Sequence, residues 1–425
     1  MVRPNDLYRL PWSLNDNVLA WLEPTKRCNI YCEGCYSRND PSSDKTLEQV
    51  RADLDVFTAN RKVDSISIAG GDPLIYPHIV ETVRMIREDY GKKPVVNTNG
   101  VALDQKLLRE LKAAGLHGLT FHVDSSQGRP HWKNKNELEL LPLRLELAQM
   151  VADEGGLGVA FNSTVFRHTL KYVPELVKWS RKHIDIVHSM VFILYRTMRT
   201  EEFDFYAQGE KMPVESELVY KDMDDNPEPL MAQEIVDKIR EVEPEYDACA
   251  YLGGTKDPKS LKWLLAGRLA STDKTYGYVG PNYMEAVQVG HHAVTGNFLA
   301  YTAPELLSKG RSIMAGFSAF DGGTRKALGN YSVDLAKHPL RKPPKVHFQS
   351  LAVIQPIDMM ADGEANMCDG CPDITVHEGE LIWSCRLDEH QQYGCFLKAA
   401  PKNASPKNGA SKGAAPSEKS LPQVR

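Results

Sequence analysis

The stretch KRCNIYCEGCYSRND, residues 26–40, brings three cysteines together within eight residues. Cys28, Cys32 and Cys35 have the spacing C-x3-C-x2-C, and the next cysteine in the chain is Cys249. Closely spaced thiolates are typical ligands of zinc and of iron–sulfur clusters. A zinc ion would need a fourth ligand, and no histidine lies near this stretch. A [4Fe–4S] cluster held by three cysteines would instead leave one iron open to a small molecule.

The composition indicates a globular protein with reduced thiols. The 425 residues carry a net charge of −5, which argues against a dedicated nucleic-acid binder because such proteins present a basic face. No apolar run could span a bilayer, and residues 1–16 lack the apolar core of a secretory signal. We therefore expect a cytoplasmic protein, with room for peripheral contact to a membrane surface. Clustered cysteines then predict metal binding, whereas Cys249 is expected to be a small buried residue.

Short apolar runs alternate with amphipathic helical patterns between residues 18 and 196. The runs that predict strands are 17–25, 65–73, 94–100, 118–125, 158–166 and 187–196. The patterns that predict helices include 46–61, 104–115, 137–156 and 172–183. In the second helix, Asp104 is expected at the N-cap and Gly115 at the left-handed cap. Six such units predict an α/β fold with a partial (β/α)6 TIM-like barrel and a C-terminal Cys-rich extension, although an open doubly wound sheet has the same periodicity.

Composition divides the chain further. We expect an N-terminal segment at 1–17, a core barrel at 18–200, a substrate-side region at 201–350, a Cys-rich extension at 351–398 and a tail at 399–425. The substrate-side region contains one clear helical pattern, at 231–244. The tail contains Pro, Gly, Ser, Ala and Lys with almost no bulky apolar residue, so we expect it to be disordered and mildly basic.

The cysteine motif, placed directly after the first predicted strand, closely resembles that of the radical S-adenosylmethionine (radical SAM) superfamily, and an aromatic residue, Tyr36, follows the last cysteine. The resemblance covers residues 18–196. It implies an enzyme in which S-adenosylmethionine binds the open iron of the [4Fe–4S] cluster through its amino and carboxylate groups. An electron from the cluster then releases methionine and a 5′-deoxyadenosyl radical. The resemblance also implies an electron donor such as flavodoxin or ferredoxin, and sensitivity to oxygen.

The stretch AGGDPL ends the second predicted strand and carries Gly70, Gly71, Asp72 and Pro73. In the superfamily, a Gly-Gly-Glu-Pro motif at this place contacts the methionine amino group. The glycines would let the backbone approach the cofactor closely, and the carboxylate would pair with the ammonium group. Here an aspartate replaces the glutamate, which keeps the charge on a shorter side chain. A plain strand-to-helix turn is the alternative.

Polar residues at later strand ends are further candidates for contact with the cofactor or substrate. Asn99 lies in NTNG, where members of the superfamily often place a polar turn. We favour Asp124 and Asn162 because both stand at predicted carboxyl-terminal strand tips. Turn capping or a core hydrogen bond is the alternative for each. Tyr195 and Arg196 end the sixth strand, where they would fix a carboxylate or form a structural salt bridge.

A second group of cysteines, Cys368, Cys371, Cys385 and Cys395, has the spacing C-x2-C-x13-C-x9-C. Four thiolates suit a complete [4Fe–4S] cluster or a structural zinc ion, although a zinc ribbon would repeat the C-x2-C pair. The resemblance implies an auxiliary iron–sulfur cluster, as C-terminal cysteine extensions commonly hold one in the superfamily. His377 and His390 are spare ligand candidates, but such residues are more typical of a surface hairpin.

For the reaction, we expect hydrogen abstraction from an unactivated C–H bond of a lipid or other apolar metabolite, followed by C–C bond formation or methylation. The overall arrangement is weakly similar to that of tetraether-lipid synthases and folate-dependent methylases. Aromatic and imidazole side chains of the substrate-side region would line an apolar cavity or form an ordinary core. They are Tyr276, Tyr278, Tyr283, His291 and His292.

Two other functions fit the same residues. One is a radical SAM enzyme that modifies a peptide or a small molecule and carries one auxiliary cluster. The other is a non-enzymatic iron–sulfur or zinc scaffold that binds a partner, but it would leave the Gly-Gly-Asp-Pro stretch without a purpose. No residue is assigned as catalytic from the sequence.

Overall fold

The computed structural model describes residues 1–196, 199–213 and 229–402. Within these ranges the strands are β1 (Tyr8–Arg9), β2 (Leu19–Thr25), β3 (Ser65–Gly70), β4 (Lys93–Thr98), β5 (Gly118–His122), β6 (Gly158–Val165), β7 (Ser189–Leu194), β8 (Phe203–Ala207), β9 (Glu210–Met212), β10 (Ala250–Leu252), β11 (Trp263–Ala270), β12 (Thr275–Tyr278), β13 (His347–Ile354), β14 (Asp358–Met359), β15 (Ala365–Asn366), β16 (Ile374–His377), β17 (Glu380–Trp383) and β18 (Lys398–Pro401). The helices are α1 (Leu47–Asn60), α2 (Ile79–Glu88), α3 (Gln105–Ala113), α4 (Leu141–Glu154), α5 (Val173–Lys182), α6 (Ala232–Arg240), α7 (Pro281–Thr295), α8 (Pro304–Leu307), α9 (Gly310–Phe317), α10 (Gly322–Lys337) and α11 (Leu387–Tyr393).

The six predicted strands of the core are β2 to β7, and all of them pair in parallel with their neighbours in chain order. A doubly wound sheet would reverse its strand order at a switch point, and this order does not reverse. The order therefore distinguishes the two folds that periodicity left open. The α/β fold with a partial six-stranded barrel is confirmed.

The helices between these strands pack against one face of the sheet and form a single core with it. Buried apolar residues of α1 to α6 belong to the same cluster as those of β2 to β7. Both ends of helix α3 are as predicted: the Asp104 side chain accepts a hydrogen bond from the Leu107 amide, at 2.7 Å, and Gly115 has a φ of +99°. None of the helices that the structure describes has the length and apolar character that crossing a bilayer requires.

The sheet continues beyond the core into residues that looked irregular in sequence. Strand β13 pairs in parallel with β7, β11 pairs antiparallel with β13, and β10 joins β11 to β1. The expected division at residue 350 falls within β13. Tyr276 and Tyr283 lie in a second apolar core with α7, α9 and α10, and Tyr278 lies in the main core, so these aromatic rings form core rather than a cavity wall.

The C-terminal segment lies between the two edges of the sheet. The β16–β17 hairpin packs against β2 and α1 at one edge. Near the other edge, Cys368 forms an isolated β-bridge with Gly254, which follows β10, and Asp369 forms an ion pair with Arg9 of the edge strand β1. Strand β18 pairs with β8, so residues 399–401, which we expected in the disordered tail, belong to a strand. The rest of that expected tail, from residue 403, lies outside the described residues.

Candidate functional site

The loop that carries Cys28, Cys32 and Cys35 follows β2 at the carboxyl end of the parallel strands. It is fixed against the loop that follows β5. The backbone of Cys32 forms an isolated antiparallel β-bridge with that of Gln127. The Glu33 amide donates to the Ser126 carbonyl at 3.0 Å. Active sites of parallel barrels form at this end of the sheet, because the loops there converge.

The three thiols of this loop lie close enough to influence one another. Burial raises the pKa of all three, and that of Cys35 reaches about 11. The pKa of Cys32 is raised further by the Asp124 carboxylate and by the two neighbouring thiols. A bound cation would reverse this effect, since metal binding deprotonates a coordinating thiol. The three sulfur atoms are therefore donors that suit an iron–sulfur cluster rather than a single metal ion.

Gly34, between the second and third cysteines, lies under the Tyr195 ring. A Cβ at Gly34 would lie 2.5 Å from Tyr195 Cε2, and the φ of Gly34 is +67°. The Tyr195 ring also stacks on Phe166, with ring centroids 4.5 Å apart. Tyr195 thus holds the cysteine loop in place. Its neighbour Arg196 donates to Asp358 at 2.7 Å, which is the salt-bridge alternative of the sequence prediction.

Gly70 and Gly71 bring the end of β3 against the start of the cysteine loop. A Cβ at Gly70 would lie 2.1 Å from the Thr25 carbonyl oxygen, and one at Gly71 would lie 2.1 Å from that of Arg27. The φ of Gly70 is +107°, which disfavours other residues. We expected close approach to a cofactor, and these glycines also have a structural reason: they let two backbone segments touch.

Asp72 is buried, and its carboxylate accepts hydrogen bonds from within the protein. The donors are the Thr98 hydroxyl at 2.8 Å, the Asn99 amide at 2.8 Å and the Leu74 amide at 2.9 Å. Burial raises the pKa of Asp72, although these hydrogen bonds work against the increase. Pro73 begins a short 3-10 turn that Asp72 caps. The carboxylate therefore ties the ends of β3 and β4 together.

Asn99 links the end of β4 to the cysteine loop. Its side-chain Nδ2 donates to Asn29 Oδ1 at 2.7 Å and lies 3.8 Å from the sulfur of Cys28. Its Oδ1 accepts from the Val101 amide at 2.8 Å. The predicted polar turn is thus in direct contact with the first cysteine.

Asp124 lies just after the end of β5, whereas Asn162, which was expected at a strand tip, lies within β6, three residues before its end. The Asp124 carboxylate is buried and accepts hydrogen bonds from His122 Nε2 at 2.9 Å and from the Thr164 amide at 3.2 Å. Burial alone would raise its pKa, but these hydrogen bonds and those from Ser126 lower it, so Asp124 is ionised. Asn162 lies opposite His122 in the register of β5 and β6 and is half-buried.

Tyr36 lies beside a buried carboxyl group that the sequence analysis missed. The Tyr36 hydroxyl and Trp21 Nε1 both donate toward Glu23 Oε1, at 3.4 and 3.1 Å. Glu23 Oε2 is buried and has no hydrogen-bond partner in the part of the chain described. Burial raises the pKa of Glu23 to about 7, against the effects of Lys26 and Lys45. An acidic residue inside the apolar strand LAWLEPT was the available signal.

Two further charged contacts at the cysteine loop have no local sequence signal. Arg129 is buried beside Cys32 and Asp124, and its Nη2 donates to the His122 carbonyl at 2.6 Å. Lys26 is buried and forms an ion pair with Asp388 of α11, which also accepts from the Arg38 amide at 2.7 Å. These contacts are set by residues that are distant in the chain.

Residues 22–203 match the family model described as the Radical SAM superfamily, and the three thiols, the glycine turn and the polar strand ends all lie inside this range. These residues form a radical SAM domain. Members of the superfamily use a [4Fe–4S] cluster and S-adenosylmethionine. The gathered thiols at the carboxyl end of the sheet fit the cluster, because thiolates are its usual ligands.

Curated relatives resemble less than half of the chain. The AdoMet-dependent heme synthase of Methanosarcina barkeri is 27% identical over 193 residues, 44% of this chain and 53% of that protein. The 7,8-dihydro-6-hydroxymethylpterin dimethyltransferase of Methanocaldococcus jannaschii is 25% identical over 201 residues, 44% of this chain and 38% of that protein. The GTP 3',8-cyclase of Chlorobaculum tepidum is 35% identical over 103 residues, 24% of this chain and 31% of that protein. The chain thus spans about half the length of these relatives or less.

Outside the radical SAM domain, the structure gathers three of the four later cysteines. Cys368 and Cys371 share an apolar cluster with Trp263 and Trp383, and the sulfur of Cys371 is hydrogen-bonded to Cys368. The Ser384 amide donates to the Asp373 carbonyl at 3.1 Å, which brings Cys385 beside the same turn. Burial raises the pKa of Cys385, and the nearby Cys368 thiol raises it further.

Cys395 and the two spare histidines are placed differently. Cys395 packs in another apolar cluster, with Phe203, Phe205 and Leu397. The rings of His377 and His390 meet edge to face, with centroids 5.6 Å apart and an interplanar angle of 80°. Within the described ranges, no three His, Cys, Asp or Glu side chains are arranged to hold a single metal ion. A four-iron cluster needs its thiolates further apart than one ion does, since each thiolate binds a different iron.

Proposed function

We propose that this chain is a radical SAM enzyme that removes a hydrogen atom from an unactivated C–H bond of a lipid or other apolar metabolite, for C–C bond formation or methylation. The observation that carries the proposal is the set of three thiols at the carboxyl end of six parallel strands. These thiols would hold a [4Fe–4S] cluster, whose chemistry would be to supply the electron for cleavage of S-adenosylmethionine to methionine and a 5′-deoxyadenosyl radical. A flavodoxin or ferredoxin is the proposed donor of that electron.

The protein's own residues would hold the reactants in place. Cys28, Cys32 and Cys35 would bind the cluster, and the Gly71–Asp72 backbone would receive the ammonium group of the cofactor. The Asp72 carboxylate already accepts three internal donors, which supports a positioning role for it. Asn99, Asp124 and Asn162 would contact the cofactor's polar groups from β4, β5 and β6 or the residues that follow them. Tyr36 would pack beside the cluster loop.

The inner surface of the sheet supports an apolar substrate. Buried residues of β6 and β7 alternate with half-buried ones, which means that the face opposite the helices is not fully packed. On β7 the half-buried side chains include Val191 and Ile193, and Ile354 of β13 lies alongside Ile193 in the sheet register. An apolar wall with a few polar groups is the usual lining of a small-molecule site. The aliphatic wall favours an aliphatic substrate.

A polar small molecule or a peptide is the alternative substrate. Asn162 and Thr164 of β6 are half-buried on the same face, and His122 lies beside them. The relatives' names include a pterin and GTP, which are polar small molecules. If the cofactor does not contact Asn162, Thr164 and His122, these polar side chains would suit a polar substrate.

A second metal centre is part of the proposal. Cys368, Cys371 and Cys385 would hold an auxiliary [4Fe–4S] cluster, with zinc as the alternative. Cys395 completed the predicted set, but its place in a different apolar cluster supports a centre built on the other three. We therefore expect Cys371→Ala to lose the second metal and Cys395→Ala to keep it.

The first test uses protein that is purified and reconstituted without oxygen. Iron and sulfide are counted in the wild type and in a variant in which Cys28, Cys32 and Cys35 are all alanine. 5′-Deoxyadenosine is then quantified after addition of S-adenosylmethionine and dithionite. We expect about eight irons in the wild type and about four in the variant, together with loss of 5′-deoxyadenosine.

Cys249→Ala is the matched control, because Cys249 is buried in an apolar core away from both groups. It should keep the iron content and the product. A wild type with about four irons and one zinc would make the second centre structural. An iron-replete wild type that forms no 5′-deoxyadenosine, with or without a substrate extract, would contradict the proposed chemistry.

The substrate class is tested by deuterium transfer. Phospholipid vesicles with perdeuterated acyl chains are incubated with the enzyme, and deuterium in 5′-deoxyadenosine is measured by mass spectrometry. A parallel sample contains a deuterated peptide mixture. Deuterium from the lipid would support the apolar substrate, and deuterium from the peptide alone would support the alternative.

A further inference from the structure

Arg61 follows α1 and contacts the turn that carries the later cysteines. It is 3% exposed. Its Nη2 donates to the Leu19 carbonyl at 3.1 Å and to the Cys371 carbonyl at 3.4 Å. A cationic side chain is therefore buried between the edge strand β2 and the second cysteine group.

Most of the Arg61 guanidinium has no acceptor. Its Nε and Nη1 are buried and make no hydrogen bond to any residue that the structure describes. A guanidinium remains charged at every pH at which proteins fold, and a buried charge without partners is strongly unfavourable. These two nitrogen atoms are therefore unused donors for an anionic group beside them.

The groups beside Arg61 show where such an anion would lie. The acidic side chains that act on its guanidinium are Cys371 and Asp373, and Cys371 is in turn close to Cys368 and Cys385. Thiolates that hold a metal or an iron–sulfur cluster carry negative charge, and hydrogen bonds to their sulfur atoms tune the cluster's potential. The unpartnered Nε and Nη1 of Arg61 thus lie on a side chain beside the cysteines whose thiolates would carry this charge.

We propose that Arg61 is a positioning residue of the second metal centre, whose unpartnered nitrogen atoms donate to the anionic thiolate–cluster group at Cys368, Cys371 and Cys385 and raise its reduction potential. The inference rests on the proposed auxiliary cluster. It adds a residue from the radical SAM domain to that centre. The positive charge stabilises the reduced cluster, which is the more negative form.

The test uses the variant in which Cys28, Cys32 and Cys35 are alanine, so that the second cluster alone gives a signal. Arg61→Met and Arg61→Lys are added to it. The midpoint potential is measured by a redox titration followed by electron paramagnetic resonance, and iron release to a chelator is timed without oxygen. We expect Arg61→Met to shift the potential to a more negative value and to release iron about tenfold faster. The potential and the rate of iron release of Arg61→Lys should lie between those of the parent and those of Arg61→Met.

Asn17→Ala is the control for a merely structural effect. The Asn17 side chain donates to the Gly370 and Cys371 carbonyls of the same turn, at 3.1 and 3.4 Å, but carries no charge. It should leave the potential unchanged. An Arg61→Met potential equal to that of the parent, or an equal shift in Asn17→Ala, would overturn the role of Arg61. A parent without the second iron would instead show that the proposed auxiliary cluster is absent, and Arg61 would then lack its ligand.

Discussion

Glu23 is a carboxyl group placed where burial opposes its charge. One of its oxygens accepts from Trp21 and Tyr36, and the other has no partner among the described residues. The pKa of Glu23 is therefore about 7, against an ordinary value of 4.5. Glu23 lies beside the cysteine loop and stays protonated below about pH 7. Its ionisation above that pH costs free energy of folding.

This shift predicts how stability depends on pH. Between about pH 4.5 and pH 7 the folded protein keeps a proton that the unfolded chain has released, so stability falls as pH rises. The loss from Glu23 should reach about 3 kcal/mol above pH 7. Urea unfolding of the metal-free protein at several pH values should therefore show a smaller fall in Glu23→Gln than in the wild type.

The control for this prediction is Glu139→Gln, because Glu139 is an exposed carboxyl group. It should keep the wild-type fall across the same pH range. Parallel curves for the wild type and Glu23→Gln would show that Glu23 is ionised in the folded protein, and the buried carboxyl would then have a partner that we have not identified.

Among the secondary-structure elements, α11 connects the two cysteine groups. It begins two residues after Cys385, and its Asp388 pairs with Lys26, two residues before Cys28. Both side chains are about nine-tenths buried. Removal of one partner leaves a buried charge unpaired, and this typically costs about 3–5 kcal/mol.

We therefore expect Lys26→Met and Asp388→Asn each to lower the free energy of unfolding by about 3 kcal/mol or more. The double variant should lose less than the sum, because neither charge is then left alone. Both single variants should also lose the iron bound by Cys28, Cys32 and Cys35, because the ion pair holds the loop that carries these cysteines. Urea unfolding and iron counts measure these effects.

Lys135→Met is the matched control for this pair. Lys135 and Glu139 form an ion pair in which both side chains are more than 40% exposed, at 44% and 43%. Its loss should change stability by less than about 1 kcal/mol. An equally small effect at Lys26 would mean that α11 does not anchor the loop.

At the scale of the whole molecule, the C-terminal segment bridges the edges of an open sheet. Gly370 is a close contact in this bridge: its φ is +75°, and a Cβ there would lie 2.1 Å from the Trp12 carbonyl oxygen. We expect Gly370→Ala to loosen the segment, and limited proteolysis should then cleave within residues 356–402 faster than in the wild type.

Gly379→Ala separates backbone strain from this contact. Gly379 has a φ of +82°, but a Cβ there would meet nothing within 4 Å. Its substitution should cost only the strain of a left-handed residue, about 1–2 kcal/mol, and leave proteolysis nearly unchanged. If the two substitutions had equal effects on proteolysis, the close contact of Gly370 with Trp12 would not be what holds the segment.

The sequence predicted the core of the radical SAM domain well because local signals define it. The strands β2 to β7 are short apolar runs, and caps such as Asp104 and Gly115 mark a helix between them. The strands β10, β11 and β13 were missed, since their pairing joins residues far apart in the chain, such as Trp263 with Ile354.

The candidate site divides in the same way. The three thiols and the glycine turn follow from a motif, whereas Arg129 and Asp388 reach the site only through tertiary contacts. The actual partners of Asp72 could not be predicted either, because its hydrogen bonds depend on how β3 and β4 align. A motif names the residues of a site but not the neighbours that hold them.

The ion pair between Lys26 and Asp388 also has a consequence for how the protein is made. Its two residues are 362 positions apart in the chain. A ribosome that adds about 5–20 residues per second needs roughly 20–70 s to pass from one to the other. During that time the first cysteine loop exists without the helix that holds it. A maturation system that delivered iron to the nascent chain would meet a loop that is supported on fewer sides than in the finished protein.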